Sequence, residues 1–181
     1  MTADKDAARR AAYARRKAVH GTGLDGAAQS ALREALAPIA GKVLSGFMPI
    51  RTEIDPVPVM AGWLAPVGVP VIVGKGRPLA FHRWAPGCAM GEGAFGALVP
   101  AEAEVLVPEV LIVPLLSFDA RGYRLGYGGG FYDRTLELLR STRETVAIGF
   151  AYAAQEVDAV PIEPTDQRLD MVVSEAGVSR F

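Results

Sequence analysis

The residues best placed to do chemistry are Arg124, Leu125, Gly126, Tyr127, Gly128, Gly129, Gly130, Phe131, Tyr132 and Asp133, an unbroken run with four glycines. Without a Cβ, the backbone there can take positive φ and lie close against a ligand. Residues 131–140 read as a helix directly after the glycines. A glycine turn that feeds a helix offers unpaired N–H groups and the positive end of the helix dipole to an anion. Arg124 stands before the turn as a cation for a phosphate, and Asp133 stands after it as a carboxylate for a magnesium ion beside that phosphate. The combination points to nucleotide chemistry. Plainer readings stay open: the glycines as a flexible loop, and Asp133 as a partner of the helix dipole alone. Arg134 and Glu137 read as solvated surface.

Other motifs carry less. Asp166 and Asp170 lie just before a strand, where an aspartate also caps turns. The spacing G-x-G-x-x-G occurs at Gly21, Gly23, Gly26 and again at Gly91, Gly93, Gly96. A dinucleotide site needs strand, turn and helix in that order. The first match follows a helix and the second follows a loop, so neither is read as a nicotinamide or flavin site. The G-x-x-x-x-G-K-[ST] phosphate loop is absent. His20 and His82 are isolated, with no nucleophile motif nearby. Cys88 is the only cysteine, which excludes a disulfide framework and a multi-cysteine zinc site and accords with a reducing cytoplasm.

The elements that must position these residues follow from periodicity. Residues 3–19 have helical composition, with Lys5, Arg9 and Arg16 on one face, a stripe that reads as solvated. A second helix covers residues 25–37, burying Leu32 and Leu36. Residues 42–48 read as a strand ended by Pro49. Asp55 is an N-cap with Pro56 in the first helical position, and that helix runs to about residue 64. Short apolar strands follow at 71–73 and 78–84, then a glycine-rich loop at 85–98. Val110–Val113 is a fully apolar strand closed by Pro114. Further strands fall at 145–150 and 171–174, and Gly177 turns the chain toward its end. Strands that are apolar throughout, alternating with helices, predict an α/β fold in three layers (α/β/α) around a mostly parallel sheet. In such sheets ligands gather at the carboxyl ends of the strands.

The 181 residues, half of them hydrophobic, suit one domain spanning residues 1–181. A formal net charge of −1 supplies no field to recruit nucleic acid or a membrane. No apolar run approaches the ~20 residues that cross a bilayer. The first residues lack the apolar core of a secretory signal and are expected to belong to the folded protein.

Taken together, several blocks resemble the 5-formyltetrahydrofolate cyclo-ligase family, the methenyltetrahydrofolate synthetases. Residues 113–119 (VPLLSFD) and 122–134 (GYRLGYGGGFYDR) are similar to its signature. Residues 47–55 resemble its P-x-x-x-E-[ILV]-[DN] segment, residues 79–87 followed by 93–96 its central block, and residues 161–166 its late aspartate motif. Lys5 and Arg9 sit where the family has a basic N-terminal helix. The resemblance covers nearly the whole chain and is most specific from Arg124 to Asp133. Departures are Val99-Pro100, where many members have Glu-Pro, and the atypical His82 and Cys88.

The resemblance implies a fold grouped with sugar-phosphate isomerases and coenzyme A transferases. It implies ATP-dependent closure of 5-formyltetrahydrofolate to 5,10-methenyltetrahydrofolate, with release of ADP and phosphate. A formamide oxygen leaves poorly until it is phosphorylated, so ATP is needed and a protein nucleophile is not. Arg124, Leu125, Gly126, Tyr127, Gly128, Gly129, Gly130, Phe131 and Tyr132 are then expected to hold the triphosphate, with Lys5 and Arg9 closing over it. Asp133 and Asp166 are expected to hold Mg2+. Glu53 would bind or orient the folate, with Tyr127 and Trp84 beside it, and Arg124 and Glu53 are the expected catalytic groups. The implied partners are ATP and 5-formyltetrahydrofolate, in the cytoplasm, with no nucleic acid, membrane or obligate protein partner. Two alternatives remain: an isomerase-like enzyme on a related fold, working by acid/base chemistry without ATP, and a non-catalytic folate- or nucleotide-binding protein.

Overall fold

A computed structural model describes residues 3–181. Helix α1 is Ala3–Val19 and α2 is Asp25–Leu36. Then come β1 (Leu44–Ser45), α3 (Val57–Ala61), β2 (Val67–Val71), β3 (Ala80–Trp84), β4 (Met90–Glu92), β5 (Leu98–Pro100) and β6 (Val105–Leu106). The second half holds β7 (Val110–Val113), β8 (Ser117–Phe118), β9 (Arg124–Leu125), α4 (Phe131–Thr142), β10 (Val146–Phe150), β11 (Met171–Ser174) and β12 (Gly177–Arg180). Eight strands form one sheet in the order β12-β11-β10-β7-β1-β2-β3-β6. From β11 to β2 every pairing is parallel. The edges are antiparallel, β12 on one side and β3 with β6 on the other.

The central strands lose the alternation of a half-buried strand because both of their faces are covered. Val110 and Ile112 of β7 pack with Leu32 and Leu36 of α2 and Met60 of α3. Leu111 and Val113, pointing the other way, pack with Leu136 and Leu139 of α4. The layers are therefore α2 and α3, sheet, α4, as expected. Each such side chain contributes about 1.5–3 kcal/mol by leaving water. Among the described residues no helix is long and apolar enough to cross a membrane.

Several boundaries differ from expectation for local reasons. β1 is two residues rather than 42–48: the chain leaves the sheet at Gly46, where any side chain would collide with Met60. Asp55 does cap, its Oδ1 accepting the Val57 N–H at 2.9 Å, but the helix stops at Ala61 before Gly62. β2 starts earlier than 71–73 and contains Pro70. β1 pairs only with Val67 and Gly68, so at Pro70 that side of β2 has no ladder left to interrupt. Residues 85–98 are not all loop: β4 and β5 form a hairpin whose tip is Ala94–Gly96. The β8–β9 hairpin, β6 and β12 were also unanticipated.

Candidate active site

β1, β2 and β7 run parallel, and the residues just past their carboxyl ends (Phe47, Met48, Ile72 and Pro114) line a cavity of about 690 Å³. The glycine turn forms another wall. Past Pro114 the chain enters the β8–β9 hairpin, pairing Ser117 with Leu125 and Phe118 with Arg124. Gln155 braces it, donating to the Leu115 and Leu116 carbonyls at 2.9 and 3.1 Å. Asp119 braces the hairpin bend. Its enclosed carboxylate accepts from the Arg121 side chain and from the backbone N–H groups of Arg121, Tyr123 and Val160. Burial alone would raise its pKa, but these donors outweigh burial and hold it below the usual value.

So anchored, β9 presents Arg124 with its side chain enclosed. Arg124 donates to the Gln167 carbonyl at 2.6 Å and to Asp133 Oδ1 at 2.8 Å. The same Asp133 oxygen accepts the Gln167 N–H at 2.9 Å. One arginine thus ties the hairpin, the first turn of α4 and the segment at Gln167 together. Between them, Gly128 (φ 106°) and Gly130 (φ 64°) take left-handed backbone that a side chain would strain. Gly130 is the residue from which α4 starts.

α1 closes the cavity. Lys5, Arg9, Ala12 and Arg16 fall on one face, and the basic stripe is not solvated: Lys5 is 6% exposed and Arg16 1%. Lys5 Nζ reaches Asp166 at 3.1 Å and Glu163 at 3.2 Å. Arg9 donates to the Gly126 carbonyl at 3.1 Å and pairs with Asp6 at 2.8 Å. The acceptors lie across the cavity on distant segments, which no count along α1 could reveal.

The glycine turn also carries a second polar group. The Tyr127 hydroxyl donates a short hydrogen bond to Glu53 Oε1, and the Ile50 N–H donates to Oε2 at 2.9 Å. Burial pushes Glu53 above the ordinary carboxyl pKa, opposed by these bonds and by Arg16 and Arg51. Burial and the Glu53 charge push the Tyr127 phenol well up, so it remains a proton donor. Tyr132, whose phenol burial also raises, has a buried hydroxyl with no hydrogen-bond partner among the described residues.

All but one of the residues singled out from sequence meet at this cavity: Lys5, Arg9, Glu53, Asp166 and the whole run from Arg124 to Asp133 line it. Trp84 does not. It ends β3 opposite Val67 and packs into the core on the α2 side of the sheet, so the folate-pocket role expected of it is corrected. Arg134 is corrected the other way, being half-buried against the cavity, while Glu137 lines the cavity and is exposed as expected. Arg134 folds back, donating to the Gly129 carbonyl and lying 5.5 Å over the Phe131 ring. Helical side chains lean toward the N-terminus, so a first-turn arginine after a glycine turn could have been expected there. Arg16 and Tyr13 were missed as site neighbours. Phe95, 73% exposed with φ 58° at the tip of the β4–β5 hairpin, also lines the cavity; it falls in the 93–96 block of the resemblance, but no site role was expected of it.

Among the described residues no three histidines, cysteines or carboxylates gather as a metal cage. Asp133 and Asp166 nevertheless face one cavity, each with one oxygen engaged by a cation. Two carboxylates beside a glycine turn that opens a helix are oxygen donors of the kind that suit a hard divalent ion.

Fold and site together define an α/β protein with a cavity at the carboxyl ends of its parallel strands, walled by a glycine turn that opens a helix and by a buried carboxylate–phenol pair. The chain belongs to the 5-formyltetrahydrofolate cyclo-ligase family, whose model matches residues 42–175. It is similar to the 5-formyltetrahydrofolate cyclo-ligase of Haemophilus influenzae, 38% identical over 93 residues, a match that spans 49% of each chain and so about half the length of that relative. Among solved structures it is similar to the 5,10-methenyltetrahydrofolate synthetase of Aquifex aeolicus, with TM-score 0.78 and 27% identity over 97% of this chain and 92% of that one. The 5,10-methenyltetrahydrofolate synthetase of Mycoplasma pneumoniae gives TM-score 0.74 and 25% identity, over 95% of this chain and 99% of that one.

Proposed function

We propose that this chain, acting as one domain over residues 1–181, is a ligase that uses ATP to close 5-formyltetrahydrofolate to 5,10-methenyltetrahydrofolate, releasing ADP and phosphate. The observation that carries the reading is the convergence of Lys5, Arg9 and Arg124 on the glycine turn that opens α4. In the proposed reaction the formyl oxygen takes the γ-phosphoryl group and ADP leaves. The neighbouring amine nitrogen then attacks the activated carbon, and phosphate departs as the ring closes. Positioning and charge stabilisation supply the catalysis, as in other phosphoryl transfers.

In this reading the N–H groups from Gly128 to Gly130 and the Arg124 guanidinium hold the triphosphate, flanked by Leu125, Gly126, Phe131 and Tyr132, while Lys5 and Arg9 cover it. Asp133 and Asp166 hold Mg2+, which neutralises phosphate charge when bound. Glu53 and Tyr127 orient the folate: an ionised carboxylate accepts from the N–H groups of a pterin edge, and the phenol and the Ile50 N–H fix how the Glu53 carboxylate is turned. The cavity volume, within the usual ~300–1,000 Å³ of ligand pockets, supports two ligands meeting here. The place of action is read as the cytoplasm, consistent with the unpaired Cys88 thiol.

The test is growth of methenyl-folate absorbance on mixing the purified protein with 5-formyltetrahydrofolate, with and without ATP and magnesium. Growth that needs both supports the proposal. No growth refutes it, and ligand-induced thermal stabilisation without turnover points to a binding protein instead.

A further inference from the structure

Arg16 is unusual among the cations of α1. It stands in the last turn, where a lysine or arginine ordinarily complements the helix dipole from the surface, yet it is among the largest fully enclosed side chains of the protein. No carboxylate lies within ion-pair distance of it among the described residues. An enclosed charge without an adjacent counter-ion is costly. What Arg16 has instead is a set of contacts converging on the Glu53 side of the cavity. Its Nη1 donates to the Tyr127 hydroxyl at 2.6 Å and to the Leu115 carbonyl at 3.4 Å. Its Nε donates to Thr52 Oγ1 at 3.0 Å, on the residue next to Glu53. The guanidinium carbon lies 5.6 Å from the ring centres of both Tyr13 and Tyr127. Its Nη2 has no partner among the described residues.

A phenol oxygen that accepts from a guanidinium must send its own proton elsewhere, and here that proton goes to Glu53 Oε1. We propose that Arg16 is a positioning residue. It locks the Tyr127 hydroxyl as an acceptor toward α1 and a donor toward Glu53, and so fixes how the carboxylate is turned and which of its remaining lone pairs face the substrate. The inference deepens the proposed function and rests on it for the identity of that substrate.

The groups facing Glu53 are Arg16 from α1, Tyr127 from the glycine turn, Tyr132 from α4 and Arg51 from its own loop. Arg51 is exposed and engages the Tyr13 hydroxyl at 3.3 Å, so Arg16 is the enclosed cation of the set. Burial raises the Glu53 pKa and Arg16 opposes that rise. Removing the guanidinium must therefore move Glu53 further up.

The experiment compares wild type, Arg16→Gln, Tyr127→Phe and the double variant. Glu53 titration is followed by carboxyl-carbon NMR, and kcat/KM is measured for 5-formyltetrahydrofolate and for ATP. In Arg16→Gln the Glu53 titration should shift to higher pH. The folate kcat/KM should fall about tenfold to a hundredfold, as misplacement of a binding group does, with the ATP value within about twofold. In the Tyr127→Phe background, Arg16→Gln should cost folate kcat/KM clearly less than it does in wild type, because the hydrogen-bond route to Glu53 is already cut and only the direct effect of its charge is left. Multiplying losses, or an unmoved Glu53 titration, would overturn the proposal. If wild type does not turn over the folate at all, the proposed function fails, and the titration still decides whether Arg16 governs Glu53. Should Arg16→Gln not fold, Arg16→Lys takes its place in the same comparison, and a loss beyond that of Tyr127→Phe overturns the proposal.

Discussion

Replacing Asp133 by asparagine separates what that carboxylate does for the fold from what it does for the site. Asp133 Oδ1 accepts from Arg124 at 2.8 Å and from the Gln167 N–H at 2.9 Å. Asparagine keeps an oxygen in that place, so both hydrogen bonds survive and the negative charge alone is lost. The difference between a charge-assisted and a neutral hydrogen bond is about 1 kcal/mol. For a chain of this size each kcal/mol moves the melting temperature by roughly 2–4 °C, so the melt should fall by only a few degrees. Asp133→Ala is a different perturbation. It leaves Nη2 of the enclosed Arg124 with neither counter-ion nor acceptor, which costs about 3–5 kcal/mol. For activity, losing the charge beside the glycine turn should cost about a thousandfold, roughly 4 kcal/mol of barrier. The assay is ATP-dependent methenyl-folate formation at saturating magnesium, paired with a thermal melt of each variant. Turnover within tenfold of wild type in Asp133→Asn would refute the metal and phosphate role. A melt that drops as far in Asp133→Asn as in Asp133→Ala would refute the hydrogen-bond reasoning.

Lys5→Met removes one cation from the phosphate cover while α1 keeps its other contacts. The KM for ATP should rise about tenfold or more, the worth of one charged hydrogen bond, with the folate KM within about twofold; an equal rise in both would count against the cover. Gly130→Ala forces a side chain onto φ 64° and places its Cβ 2.8 Å from Arg134 Nη1. It should destabilise by about 1–2 kcal/mol, and an unchanged melt would show that the turn relaxes freely. Glu53 tests a pH dependence. Burial lifts its folded pKa above 4.5, so the folded state holds that proton more tightly than the unfolded chain does. Its contribution is full below 4.5 and is lost as pH rises through the folded value. The unfolding free energy of wild type minus that of Glu53→Gln should therefore decline from pH 4.5 toward neutrality, and parallel curves would contradict the burial argument.

Reading Val110–Val113 and Met171–Ser174 correctly from sequence was possible because a strand covered on both faces is apolar at every position. α1, α2 and α4 were legible from composition and from the glycines beside them. The β4–β5 and β8–β9 hairpins were not, since strands of two or three residues carry no period and exist only through their partners. Trp84 shows a second kind of failure. Its type suits a folate pocket, but the side of the sheet it faces is set by the register of β3 on β2. Arg16 shows a third. Helical spacing put it on one face with Lys5 and Arg9, and spacing alone could not say that this face is enclosed.

The cavity is assembled from parts far apart in the chain, and this bears on how it works. Lys5 and Asp166 are 161 positions apart, Arg9 and Gly126 117, Arg16 and Tyr127 111, and Glu53 and Tyr127 74. The family match begins at residue 42, beyond α1, although α1 supplies three of these cations. α1 packs chiefly against the turn at 153–155 rather than on the sheet, and Ala12 is its buried apolar residue. Its seating therefore leans on the charged contacts of Lys5, Arg9 and Arg16. Two of the three touch partners that a nucleotide and metal would claim: Lys5 holds Asp166, and Arg9 holds the glycine turn itself. On the proposed function, an anion entering the turn would give Lys5 and Arg9 a stronger partner and free Asp166. Arg16, facing Tyr127 and Glu53, keeps its contacts throughout. On the proposed function the helix is pinned at its C-terminal end by the folate side of the site and is exchangeable at its N-terminal end by the phosphate side. Nucleotide should accordingly raise amide-exchange protection around Lys5 and Arg9 far more than around Arg16, and uniform protection along α1 would contradict this division.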